Sequence, residues 1–203
     1  VQEVATSGAM VITTMIIAPL GEIAIAANSF AVTAEGLCYM PGYGIGSAAA
    51  TVVGRSVGAG EDELARRYGN ICIGMGATIM GVLGLMMMFI CPLLFAMLTP
   101  DPAVRELSAQ VLRIELLAGP LFGASIVAAG ALRGAGDTLV PSVINLATMW
   151  VVRIGLALIL IKPLGLLGMW IAMAAELSTR GLLMLYRQRT SRFYAMYAGQ
   201  SKA

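Results

Sequence analysis

An all-α polytopic membrane protein, a bundle of six transmembrane helices, is the fold class this sequence predicts. Three observations predict it. The first is composition: 59% of 203 residues are hydrophobic and 12% charged, with a mean hydropathy of +0.86, whereas a soluble domain carries about a quarter charged residues. The second is segmentation. Crossing a hydrocarbon core takes about 20 apolar residues, and six such stretches follow one another, parted by turn chemistry. The third is the arginine distribution, which favours alternate breaks between stretches.

The spans follow in order. The first covers about Val4 to Leu20, and Pro19-Leu20-Gly21 closes it. The second covers about Ile23 to Ser56 and ends at Gly58-Ala59-Gly60. The third covers about Leu64 to Leu98. Glu61-Asp62-Glu63 places negative charge at its N-terminus, where the helix dipole favours it. Thr99-Pro100-Asp101-Pro102 is a helix start with proline in the first turn, so the fourth span runs from about Pro102 to Leu132. Gly134-Ala135-Gly136-Asp137 parts it from the fifth, about Thr138 to Ile161. Lys162-Pro163-Leu164-Gly165 parts that from the sixth, about Leu164 to Tyr186. Several spans exceed the bilayer and are expected to tilt, kink or project.

With both ends placed in the cytoplasm, that side holds Arg55, Arg66, Arg67, Arg133, Arg187, Arg189, Arg192 and Lys202. The outer side holds Arg105 and Lys162. This obeys the positive-inside rule. The basic tail, 187–203, interleaves arginine with Phe193, Tyr194 and Tyr197 and is expected at the cytoplasmic headgroups.

The second span carries the chemistry. Between Glu22 and Arg55 its one charge is Glu35. An ionisable residue inside a membrane segment marks a functional site by default. Glu35 lies about 18 Å along the helix from Ile23, at about 1.5 Å per residue, near mid-bilayer. Helical spacing puts Asn28, Glu35, Tyr39 and Gly42 on nearly one face. Such a carboxyl can hold a proton, or a sodium ion with help from the Asn28 and Tyr39 oxygens; a structural hydrogen-bonding acid is the alternative. Pro41 lacks an amide hydrogen, so Pro41 and Gly42 are expected to form a hinge. Gly42, Gly46, Ala50, Gly54 and Gly58 then form a row of small residues at spacing four, a seam for close helix approach.

Other constellations read more plainly. Glu176 and Arg180, four apart in the sixth span, read as a self-neutralising pair. Arg113, Glu115 and Arg153 are each structural or water-lining. Gly119 and Gly123 read as packing. Met10, Met15 and Met40 are candidates for an adaptable apolar cavity wall. Cys38, Cys72 and Cys91 match neither zinc spacing nor a disulfide framework. The chain has no histidine and shows no HExxH motif or serine elbow, which argues against an enzyme. A net charge of +2 gives no reason to expect nucleic acid. Gly130 to Thr138, Gly-Ala-Leu-Arg-Gly-Ala-Gly-Asp-Thr, lacks the ending of a P-loop. It reads as a tight cytoplasmic turn: Arg133 at the phosphates, Gly134 and Gly136 in the bend, Asp137 and Thr138 opening the next helix.

That string, followed by Pro141, resembles the characteristic turn of the multidrug and toxic compound extrusion (MATE) family. Ala26 to Gly60, with Pro19-Leu20-Gly21 before it, is similar to the same family. The resemblance covers essentially the whole chain and implies the second half of a transporter: spans seven to twelve of twelve, one six-helix lobe of two around a central cavity. It also implies outward exchange of amphipathic organic cations for inward sodium or protons. Many members carry an acid in the first of these spans, where Glu3 is near. Some carry one eleven residues before the turn arginine, and that position here is Phe122.

These readings combine into one expectation. Residues 1–203 form a C-terminal MATE-type lobe with a truncated first helix, a cation-coupled drug antiporter of the plasma membrane. Its partners are the absent N-terminal lobe, the substrate and the bilayer. It needs no cofactor beyond sodium or a proton, no metal site and no nucleic acid. The alternatives are a flippase-like exporter of lipid-linked or polysaccharide precursors, and a membrane scaffold that transports nothing.

Overall fold

A computed structural model of the chain describes residues 2–190, and side chains from residue 6 onward. Glu3's side chain and the tail residues Arg192, Phe193, Tyr194, Tyr197 and Lys202 lie outside the described residues. The described chain is all-α. Helix α1 (Gln2–Ile17) runs into one 3-10 turn (Ala18–Leu20) at Pro19. Gly21, at φ 95°, makes the corner into α2 (Glu22–Gly58). Helix α3 is Asp62–Leu98. Helices α4 (Pro102–Leu116) and α5 (Gly119–Gly134) follow. Helix α6 (Leu139–Ala147), a π-helical stretch (Thr148–Ile154) and α7 (Gly155–Leu164) form one rod, and α8 (Leu166–Thr190) ends the described chain.

These elements make six spans, with one departure from the sequence reading. The fourth span is not one helix: α4 and α5 meet at 56°. Pro120 cannot donate to the Leu116 carbonyl, and Ala118 N–H turns back to Glu115 O at 2.8 Å, tightening the end of α4. At Pro41, where a hinge is expected, the helix is not interrupted. One missing bond leaves a 37-residue helix continuous, and Pro41 itself is exposed. Helices α2, α3 and the rod Leu139–Leu164 are each long and apolar enough to cross a membrane, and the bent α4–α5 pair makes a fourth. Large apolar side chains such as Phe89 and Met97 stand more than four-fifths exposed on the outside, the surface lipid would cover.

Helix α5 is the centre, packed along α2, α3 and α8. Small residues make that possible. A Cβ on Gly130 would lie 2.2 Å from the Gly46 carbonyl oxygen, and one on Gly134 would lie 2.2 Å from that of Ala50. The α2 seam therefore lies directly on α5, backbone to backbone. Helix α3 also approaches α5 closely, where a Cβ on Gly123 would meet the Gly76 carbonyl oxygen at 2.8 Å. Gly42 completes the seam against Met80, whose Sδ would be 2.3 Å from an added Cβ; its role here is close packing.

Candidate functional site

Helix α2 presents Glu35 and Tyr39 one turn apart on the face it turns to α4. The break between α4 and α5 leaves Glu115 in the last turn of α4, fully buried. Tyr39 Oη donates to Glu115 Oε1 at 3.3 Å. The Glu35 carboxyl is an electrostatic neighbour of the Glu115 carboxyl. Glu115 Oε2 is buried and receives no donor among the described residues. Ionised carboxylates are acceptors only. Two neighbouring carboxyls, one wholly out of water, favour a positive charge beside them: a proton on one, or a cation.

A second cluster stands on the other side of Phe122. The Tyr39 ring meets the Phe122 ring edge-on at 4.6 Å between centroids, and the Arg180 guanidinium lies over that ring at 4.9 Å. Arg180 belongs to α8 and contacts Glu176 one turn earlier, with Nε 3.1 Å from Oε1. Arg153, from the π-helical stretch, reaches the same carboxylate at 3.2 Å. Thr148 Oγ1 donates to Glu176 Oε1 at 3.1 Å, and Arg180 also donates to Asn145. The expected two-residue pair is thus a trio in which one carboxylate serves two guanidiniums. The single Thr148 hydroxyl hydrogen has the Ile144 and Asn145 carbonyls as alternative acceptors, where it competes with the regular ladder as the π-helix begins.

The remaining sequence candidates fall elsewhere. Asn28 Oδ1 accepts from Trp170 Nε1 at 3.1 Å, which ties α2 to α8 about two turns from Glu35. Met10, Met15 and Met40 are more than half exposed, and none lines the half-open cavity of about 270 Å³ between α1, α2, α5, α6 and α8. In the turn, Gly136 takes φ 93°. Asp137 Oδ1 accepts from Val140 N–H at 3.3 Å, and its Oδ2 accepts from Arg187 at 2.8 and 3.0 Å. The turn therefore latches onto α8. Ser142 Oγ donates to the Thr138 carbonyl. Arg133 is exposed, with its Nε on the Ala129 carbonyl.

The residue that sequence reasoning left undecided is Glu115. Its signal was Gly119-Pro120: a breaker shortly after an acid in a span leaves that acid at a helix end inside the bundle.

The sequence profile of the MatE family matches residues 1–159. The chain belongs to the MatE family. Among relatives of this MATE lobe, it is 32% identical over 199 residues to the probable multidrug resistance protein NorM of Deinococcus radiodurans, covering 93% of this chain and 44% of that protein. It is 34% identical over 170 residues to the probable NorM of Thermotoga maritima, covering 81% and 36%. Its fold matches that of the MATE transporter ClbM in complex with Rb+, with TM-score 0.89, 20% identity, and coverage of 98% of this chain and 47% of that one. It also matches the Vibrio cholerae MATE transporter VcmN in the bent form, with TM-score 0.85 and 14% identity, over 98% and 44%. The MATE lobe therefore spans less than half the length of these relatives.

Proposed function

We propose that this MATE lobe is the C-terminal half of a cation-coupled multidrug efflux antiporter and that Glu35 and Glu115 form its exchange site. One observation carries the reading: Glu115 is fully buried with one oxygen that receives no donor among the described residues, and Glu35 is its neighbour. A proton or a sodium ion satisfies that oxygen. So does the ammonium of an amphipathic drug, and the two cannot occupy the pair together. Entry of the ion from outside displaces the drug outward; release of the ion inward restores the negative charge. Tyr39 holds Glu115 in place through its hydroxyl and joins the pair to Phe122 and Arg180, so occupation at α2 and α4 is felt at α5 and α8.

Alternating access needs two bodies moving around one site, and the relatives' greater length supports a second lobe. The arginine pattern supports a plasma-membrane protein with Arg133 and the C-terminus on the cytoplasmic side. A scaffold would have no use for the unsatisfied oxygen of Glu115.

Efflux from cells expressing the two-lobed protein tests the proposal. Glu35→Gln and Glu115→Gln keep shape and remove charge. Each variant should insert normally and lose ion-driven efflux by at least about tenfold, the loss expected when a charge-assisted contact is removed. Efflux with unchanged rate and ion dependence in both variants would leave the pair as structural acids.

A further inference from the structure

Where α4 bends into α5, helix α3 continues unbroken, and a groove of about 320 Å³ opens between them. Gly81, Val82, Leu85 and Met88 line it from α3, and Leu117 and Pro120 line it from the break; no charged residue lines it. Gly81 keeps it open, since a Cβ there would lie 3.3 Å from Pro120 Cγ. The exposed face of α4 changes polarity on reaching this groove. Glu106, Gln110 and Arg113 follow at helical spacing, all exposed, and then come exposed Leu117 and Pro120. Gln110 Nε2 donates to Glu106 Oε1 at 3.3 Å. Arg113 donates from Nε to the Met88 carbonyl at 3.4 Å, which sets it at the groove's mouth. No carboxylate pairs with it among the described residues, and the Cys91 sulfur beside it is a weak acceptor. A guanidinium has five N–H donors, so one backbone carbonyl leaves most of that capacity open. Depth fits the polarity. The 37 residues of α3 span about 55 Å against a hydrocarbon core of about 30 Å, an overhang of about 12 Å at each end. Met88 lies about 15 Å from the Leu98 end, so Arg113 stands near the edge of the core, on the side that the arginine pattern makes outer.

We propose that this groove is a phospholipid site, with the lipid phosphate on Arg113 and one acyl chain lying along α3 toward the middle of the bilayer. Protein and lipid then change polarity in the same order: charge at the headgroup level, hydrocarbon below it. From Met88 to Thr78, its lining residue at the other end, the groove follows α3 for about 15 Å, which holds a stretch of extended chain. A phosphate accepts from a guanidinium through two oxygens at once. An arginine facing lipid is costly until something of opposite charge meets it, and the headgroup supplies that charge where Arg113 stands. An uncharged guest would fill the groove and leave the guanidinium as it is. The groove has the volume of a single small-ligand site, too little for a helix about 10–12 Å across. The site shares no residue with the Glu35–Glu115 pair and holds whether or not that pair exchanges ions.

Native mass spectrometry of the 203-residue chain released from lipid nanodiscs tests this. The nanodiscs hold equal amounts of phosphatidylglycerol and glucosyl-diacylglycerol with the same acyl chains, so the two lipids differ only in the head. The phosphate lipid should be retained at least about tenfold more, the scale of a charge-assisted hydrogen bond. Arg113→Gln, at an exposed position, should remove that preference, and Arg113→Lys, which keeps the charge, should keep most of it. Val82→Trp, from a half-exposed position, fills the groove and should lower retention of the phosphate lipid with Arg113 intact. Equal retention of the two lipids, a preference that survives Arg113→Gln, or retention untouched by Val82→Trp overturns the proposal. The two-lobed protein should show the same preference; a preference confined to the separate chain would assign the groove to the second lobe and overturn it as well.

Discussion

Glu176 illustrates how charge is tolerated inside this lobe. It is 1% exposed and accepts from Arg153, Arg180 and Thr148 together. Removing its charge strands two guanidiniums. Breaking a buried pair costs about 3–5 kcal/mol, so Glu176→Gln should lower the thermal midpoint of the purified lobe strongly; a midpoint within error of wild type would mean that water, not Glu176, satisfies the arginines. At this scale the sequence was partly legible. Glu35 stood out because it is alone in an apolar run, and Tyr39 because it lies one turn on. Glu115 did not stand out, because Glu106, Gln110 and Arg113 surround it with other polar residues. Its partner lies eighty residues away, a contact that only tertiary packing creates. Asn28 shares the helical face of Glu35, yet α8 brings Trp170 to it first; helical spacing reports direction, not company.

At the scale of elements, the α2–α5 contact governs. The row of small residues on α2 was legible as a seam, but nothing in that row said which helix would fill it. Gly130 and Gly134, read from sequence as turn chemistry, are its other half. A methyl at Gly130 would meet backbone at 2.2 Å, which no rotamer can relieve. Gly130→Ala should therefore cost about 1–3 kcal/mol, the range for overpacking. Gly58→Ala, with nothing within 4 Å, should be neutral or stabilising by up to about 1 kcal/mol from helix propensity. Thermal unfolding of the two variants checks the pair; equal midpoints would mean that the helices do not approach this closely. Proline acts differently in two places. Pro41 sits in the middle of a long helix that carries on past it, whereas Pro120 follows Gly119 at a place where α4 has already ended. Each has a glycine beside it, Gly42 and Gly119; the difference is that the ladder continues on both sides of Pro41, whereas Ala118 has already turned back to Glu115 before Pro120.

Across the whole molecule, charge gives the lobe its number of exchangeable ions. Among the described residues, the Glu35–Glu115 pair and the Glu176 cluster together hold three carboxylates against two guanidiniums, Arg153 and Arg180, while buried Asp137 is matched by Arg187. A low-dielectric interior favours neutrality, and one further positive charge supplies it. The six-span architecture, the arginine asymmetry and the family were legible from composition, spacing and the Gly130–Thr138 turn, because each is a property of the chain in one dimension. The site was not fully legible, because it is assembled from α2 and α4 across a break that the hydropathy pattern conceals. The central claim is that the Glu35–Glu115 pair holds one exchangeable cation. Direct binding to the chain in lipid nanodiscs tests it, by radiolabelled sodium and by proton uptake read with a pH dye. The account predicts one cation per chain in wild type and none at that site when Glu35 and Glu115 are both glutamine. Undiminished binding in the double variant would contradict it.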